Sequence, residues 1–160
     1  MAKTKILLTP NMISETVGFG GNIDINQLTP SIVIAQTTYL KRILTSDLYN
    51  KIVSDYSAGT LTGIYETIYT DYVIDILSFY SASMYLSINT SKTTNAGTYK
   101  VSVDGSQNLP LNELVILGKN YEAIAINYEQ NFYEFMSKNP VPEYGKNNDT
   151  RNTTNLIGWY

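Results

Sequence analysis

Residues 61–89 read LTGIYETIYTDYVIDILSFYSASMYLSIN, and they lie at the centre of the predicted architecture. This stretch contains no proline and its one glycine lies near its start, so it predicts a single long helix from about Thr62 to Asn89. At about 3.6 residues per turn, apolar and aromatic side chains cover more than half of the circumference. They are Ile64, Tyr65, Ile68, Tyr69, Tyr72, Val73, Ile76, Leu77, Phe79, Tyr80 and Met84. We expect this central helix to be covered by other protein on most sides.

The remaining strip of the central helix is polar and acidic. Its members are Thr67, Thr70, Asp71, Ser78 and Ser81. No Lys or Arg occurs between Lys51 and Lys92, so the exposed strip is predicted to be acidic, with Asp71 and Asp75 at its middle. Two carboxylates spaced i, i+4 can bind a metal or share a proton, or they are solvated surface acids. The same acids exclude a membrane span.

The amino-acid composition limits the classes of protein to which the chain can belong. The chain has 160 residues, a net charge of −3, and neither cysteine nor histidine, which argues for one domain and excludes disulfides and histidine-based catalytic or zinc sites. Its negative charge disfavours nucleic acid as the main partner. Only 16% of residues are charged and 14 are tyrosines, a composition typical of an interaction protein. We expect no catalytic residue, no cofactor and no metal.

The flanking segments complete a mainly α fold. Residues 1–23 are predicted to be an extended N-terminal arm, with Lys5–Thr9 as a short strand. Thr29-Pro30 predicts a helix start, with a break at Thr45-Ser46 and a second helix to about Ser57. A short β excursion is expected at 98–105, from alternation before Asp104-Gly105.

A second long helix is predicted from about Leu111 to Ser137, packed along the central helix, with Gly118 at a close crossing. Prolines 140 and 142 end it. The result is a helical bundle of about four helices, two of them long, over 24–139. Residues 140–160 are predicted to be an extended C-terminal strap.

The strap ends in an apolar group after a polar tether. Leu156, Ile157, Trp159 and Tyr160 are the predicted interface residues. Such a group can fold back on its own domain or dock on another chain, and the sequence leaves both open.

One block of the chain resembles a known family. Ile23-Asp24, Leu28–Ile32, Ala35-Gln36 and Ile43–Tyr49 are similar to the helical head–tail connector proteins of tailed bacteriophages, above all the neck ring proteins of crAss-like phages. Gly59-Thr-Leu-Thr62 and the Tyr-rich helix after it follow in the family's order, and the resemblance extends over about 23–138. The chain departs from it at Thr45, where the family usually has glycine.

The resemblance implies a structural virion protein rather than an enzyme. Such proteins form closed rings, usually of about twelve copies, that join the portal to the tail and line the DNA channel. Portal and other neck or tail proteins would be the partners, and DNA would pass without sequence-specific binding. Asp71 and Asp75 are the expected lumen-facing residues, since like charge avoids phosphate. The protein would be made in the host cytoplasm, act in the virion and bind no membrane.

Two other classes remain open. A soluble helical adaptor would use the tyrosine-rich surface to bind a host or viral protein. A carboxylate-dependent enzyme would use Asp71 and Asp75, the only acid–base pair with helical spacing on the central helix.

Overall fold

The computed structural model describes residues 5–19, 25–89, 92–94, 97–99 and 111–145. The helices in these ranges are α1 (Pro10–Val17), α2 (Ile25–Ala35), α3 (Lys41–Ala58), α4 (Gly63–Ile68), α5 (Ile74–Asn89), α6 (Leu111–Lys138) and α7 (Pro142–Gly145). Two π-helical turns, π1 (Gln36–Leu40) and π2 (Tyr69–Val73), connect α2 to α3 and α4 to α5. The predicted mainly α bundle with two long helices is confirmed.

The central helix runs without interruption through α4, π2 and α5, from 63 to 89. Its predicted extent is therefore confirmed. Thr62 has the extended backbone of an N-cap residue, but its side chain makes no capping hydrogen bond. In π2 the Ile74 amide bonds to the carbonyl of Tyr69, five residues back, and this adds one residue to that turn. The sequence pattern, read at a constant helical period, did not predict π2.

Three helices of the same chain cover the central helix. Its main neighbours are α6, α2 and α1. Every residue of the predicted apolar face is buried or half-buried. The packing of α6 on the central helix is confirmed, and a Cβ at Gly118 would lie 3.9 Å from the Ser83 carbonyl oxygen, in ordinary contact.

Two residues of the predicted exposed strip are buried instead. Ser78 and Ser81 are fully buried, so their placement at the surface was wrong. Ser31 of α2 is fully buried as well. We attribute the burial to the packing of α2 and α5, because small side chains let two helix backbones approach closely.

The N-terminal segment is also part of the core. The predicted extended arm covered residues 1–23, and of its described residues, 5–19, those from 10 to 17 form a helix instead. Residues 5–9 form no strand, and α1 follows directly. Thr9 caps α1, since its hydroxyl accepts from the Met12 amide at 3.4 Å, and Pro10 occupies the first turn, where no amide donor is needed. Gly18 ends the helix in the left-handed conformation with φ 74°. Leu7, Leu8 and Ile13 are buried.

A single amide side chain ties this segment to the bundle. Gln36, fully buried in π1, accepts from the Leu7 amide at 2.9 Å and donates to the Lys5 carbonyl at 2.8 Å. Its nitrogen also lies 3.0 Å from the Tyr49 hydroxyl. The Tyr69 hydroxyl donates to the Leu7 carbonyl at 2.8 Å. The backbone of residues 5–7 is thus bonded by side chains, as a neighbouring strand would bond it.

The helix predicted from Thr29-Pro30 begins earlier than expected. It starts at Ile25, so Pro30 lies inside α2 and costs one backbone hydrogen bond. The break at Thr45 is confirmed: this residue has φ 65° and ψ 161° between two helical runs. That conformation is adopted almost only by glycine, so Thr45, nearly fully buried, holds backbone strain.

The β excursion lies earlier than predicted. Strands β1 (Lys92–Thr94) and β2 (Gly97–Tyr99) pair antiparallel, with Thr93 opposite Thr98. The predicted strand overlaps β2 at 98–99, and its remainder from 100 to 105 lies outside the described residues.

The start of the predicted strap is helical rather than extended. Helix α7 packs on α3, and Val141 before it is buried. The Tyr65 hydroxyl donates to Glu143 at 2.8 Å, and the Tyr144 ring meets Phe132 edge-on at 5.6 Å. Residues 146–160 lie outside the described residues.

We predict that Gln36→Leu lowers the free energy of unfolding by about 2–4 kcal/mol, because the Leu7 amide and the Lys5 carbonyl would lose their partner. Urea denaturation followed by circular dichroism measures this. The control is Thr38→Leu, an exposed position in the same turn, where a change within about 0.5 kcal/mol is expected. Equal effects at the two positions would contradict the role given to Gln36.

We predict that Thr45→Gly stabilises the protein by about 1 kcal/mol. Relief of about 1–3 kcal/mol of backbone strain should exceed the entropy cost of glycine, about 0.5–1 kcal/mol. The hydroxyl contact that is lost is long, 3.4 Å to the Glu143 carbonyl. Thr38→Gly should instead destabilise, since Thr38 lies within π1 and is not among the positive-φ residues. A lower melting temperature for Thr45→Gly would refute the strain.

Candidate interaction surfaces

The acidic pair of the central helix is at the surface as predicted, but its members differ. Asp71, within π2, is exposed and accepts from the Thr70 hydroxyl at 2.8 Å. Asp75 is partly covered, and this burial raises its pKa, with a further rise from the Asp71 carboxylate. The two carboxylates therefore interact.

A shallow groove of about 420 Å³ begins at Asp71 and runs to the last turns of α6. Tyr72 and Phe135 form its apolar base, with ring centroids 4.9 Å apart. Glu134 and Lys138 line it and pair with each other at 2.7 Å. Both ionic side chains are about two-thirds exposed, so the pair contributes little stability.

The outward side of α6 is the least charged exposed surface of the two long helices. Between Glu113 and Glu134, one side of the helix presents seven exposed residues and no charge over about four turns. We call them the outer face of α6: Ile116, Asn120, Ala123, Ile124, Asn127, Gln130 and Asn131. Ile116 is 56% exposed and Ile124 is 37% exposed. Depletion of charge and exposed aliphatic groups are typical of the centre of protein interfaces.

One buried carboxylate was not singled out from the sequence. Glu129 of α6 is 7% exposed and is held by three other helical residues. Arg42 donates to its two oxygens at 3.2 Å each, Tyr80 donates at 2.8 Å and Tyr133 at 2.6 Å. Burial raises the pKa of both tyrosines, and their bonds to Glu129 raise it further.

The Glu129 cluster joins α3, the central helix and α6. Its carboxylate is fully hydrogen-bonded and its charge is balanced by Arg42, so it has no lone pair left to act as a base. The signal in the sequence was a glutamate in the apolar stripe of α6, between Ala125 and Phe132, both fully buried. We interpret the cluster as structural.

The structure bears on only some of the other predicted site features. Among the described residues, no three His, Cys, Asp or Glu side chains are grouped to hold a metal. None of the helices in those ranges has the length and apolar character to span a bilayer. Leu156, Ile157, Trp159 and Tyr160 lie outside the described residues, and their contacts stay a prediction.

Comparison with known proteins adds a family and no function. No significant match was found among curated proteins or among solved structures. Residues 40–154, more than two thirds of the chain, match a family described as a family of unknown function, DUF6712. This range includes α3, the central helix, α6 and α7, and with them the Glu129 cluster and the outer face of α6. The chain therefore belongs to the DUF6712 family.

Proposed function

We propose that the protein is a structural virion subunit that forms a head–tail connector ring in a tailed bacteriophage. The observation that carries this proposal is the uncharged outer face of α6, because an exposed helix face with isoleucines and amides at its centre fits burial against another protein. The resemblance of residues 23–138 to neck ring proteins gives that interface its context. The portal and the other neck and tail proteins are the proposed partners.

A ring of identical subunits needs two different complementary patches. One patch of each subunit meets the other patch of its neighbour, and rotation closes the circle. The outer face of α6 is proposed as one of them. Asp71 and Asp75 lie on a different helix and are proposed to face the lumen, where a negative strip lets DNA pass without holding it.

We expect the purified protein, alone or with portal and tail proteins, to form rings visible by negative-stain microscopy. Ile116→Asp combined with Ile124→Asp should leave free subunits, because each buried carboxylate would lose its hydration without gaining a partner. The control is Asn11→Asp with Asn50→Asp, which adds the same charge at exposed positions of α1 and α3. Light scattering measures the particle mass.

A wild-type protein that stays a monomer and never joins portal or tail proteins would contradict the ring. That outcome would favour the adaptor, in which the same face binds a host or viral protein. Rings that form equally well with both double variants would mean that the outer face of α6 is not the interface.

We predict that Asp71→Lys with Asp75→Lys reduces infectivity by hindering DNA passage, since lysines in the lumen would bind phosphates. Phage production complemented with the variant, followed by a DNA-ejection assay, measures this. Glu15→Lys with Asp47→Lys is the control, because it reverses two exposed acids on α1 and α3. Unchanged infectivity with assembled virions would refute the lumen assignment.

A further inference from the structure

A second groove lies on the other flank of α6, between its first turns and the end of the central helix. It has a volume of about 330 Å³ and is more apolar than the groove at Asp71. Its walls include Met84, Leu86, Ser87, Leu114, Val115 and Lys119. Gly118 also lines it, and the missing side chain there deepens the seam between the two helices. Val115 at its edge is 48% exposed.

One stripe of α6 runs from this groove to the place where the last described residues of the chain pack. Val115, Lys119, Glu122, Ile126 and Tyr133 follow the i, i+4, i+7, i+11, i+18 spacing that places residues on one side of a helix. Ile126, between the groove and Tyr133, is 41% exposed, so the stripe carries an accessible aliphatic side chain on the way to the groove. At the other end, Phe132 contacts both Tyr133 and Tyr144 of α7.

The start of the strap is fixed beside that stripe. Val141 is buried, the Glu143 carboxylate accepts from Tyr65, and Tyr144 packs on Phe132. The chain after Gly145 therefore departs from the level of Tyr133, about 21 Å along the helix axis from Lys119. This position is set by the domain itself and does not depend on a partner.

The tether has the right length for that distance. Residues 146–155 are ten polar or charged residues, whose root-mean-square span as a flexible chain is about 17 Å and whose full extension is about 33 Å. Effective concentration is greatest when the mean span of a linker matches the separation of its sites. A site about 21 Å away on the same molecule is thus favoured over the same site on another copy at ordinary protein concentrations.

The segment after the tether has the chemistry that this groove accepts. Leu156, Ile157 and Trp159 supply aliphatic and indole surface, and a tryptophan inserted into a pocket is a frequent anchor of protein contacts. Lys119 at the rim can lie over an indole face as a cation–π contact. The only tryptophan of the chain would then be shielded from water.

We propose that residues 156–160 dock in the groove between α5 and α6 of their own chain, with Trp159 inserted beside Gly118. Docking at this groove would leave the outer face of α6 uncovered. The proposal does not rest on the connector function, because it concerns the isolated molecule.

The fluorescence of the single tryptophan tests the proposal on the full chain. The emission of Trp159 should be blue-shifted relative to the urea-unfolded protein, and acrylamide should quench it several-fold less. Neither property should change on dilution, since docking within one chain is independent of concentration.

Two groove variants and one control locate the contact. Val115→Asp and Ser87→Arg both change exposed or half-exposed positions at the groove, so the fold should survive, as circular dichroism would verify. Each should shift the emission to the red and increase quenching. Ile34→Asp is the matched control, because this aliphatic residue of α2 is similarly exposed but lies outside both the groove and the outer face of α6. It should leave the emission unchanged.

Three results would overturn the proposal. The first is solvent-exposed emission in the wild-type monomer. The second is a blue shift that appears only as concentration rises, which would assign the groove to a second copy. The third is a blue shift that neither groove variant alters, which would place Trp159 elsewhere, for example against residues 90–110.

Discussion

The structure depends on covering a central helix that is apolar around more than half of its circumference. A single neighbour cannot bury such a helix, because packing of two helices covers only one stripe of each. Here α1, α2 and α6 surround it, and all three come from the same chain. The fold therefore needs the segment that contains α1: without this helix the central helix would present apolar side chains to water. Gln36 explains how so short a segment stays in place, since its buried amide bonds the backbone on both sides of Ile6.

Two identical dipeptides show how far the sequence could predict this arrangement. Thr9-Pro10 begins a helix, whereas Thr29-Pro30 lies within one. Locally the two carry the same start signal. They differ in their surroundings. Helix α1 is short and is held in place by the burial of Leu7, Leu8 and Ile13. Pro30 instead lies inside a helix that begins at Ile25. Long amphipathic helices such as α6 could be predicted to within a residue or two, because the period repeats over many turns. The π-turns could not be predicted, since each changes the period for one turn only.

The candidate sites also include features that the sequence predicted and features that it did not. The acidic strip followed from a count of charges, and Asp71 and Asp75 are at the surface of the central helix. Ser78 and Ser81 were misplaced because a serine is compatible with either environment, and only the approach of α2 decides between them. Glu129 was missed although it interrupts an apolar stripe. The structural role of Glu129 depends on its hydrogen bonds to Arg42, Tyr80 and Tyr133. No local sequence pattern connects these residues, so the role could not be predicted.

Because the chain covers its own central helix, the proposed assembly must use a different surface. The sequence pattern placed the excess apolar surface on that helix and predicted that other protein covers it. With α1 in the core, the chain covers most of this surface itself. Among the described residues, exposed aliphatic side chains remain at Ile88 near the end of the central helix, at Ile34 of α2 and at four positions of α6. Those on α6 fall on two flanks. Val115 and Ile126 lie about 20° apart around the axis on the groove side, whereas Ile116 is rotated by about 100° from Val115 toward the outer face. A strap that occupies the first flank does not compete with a neighbour that binds the second. The proposed docking of the strap and the proposed assembly of subunits would therefore use separate flanks of one helix.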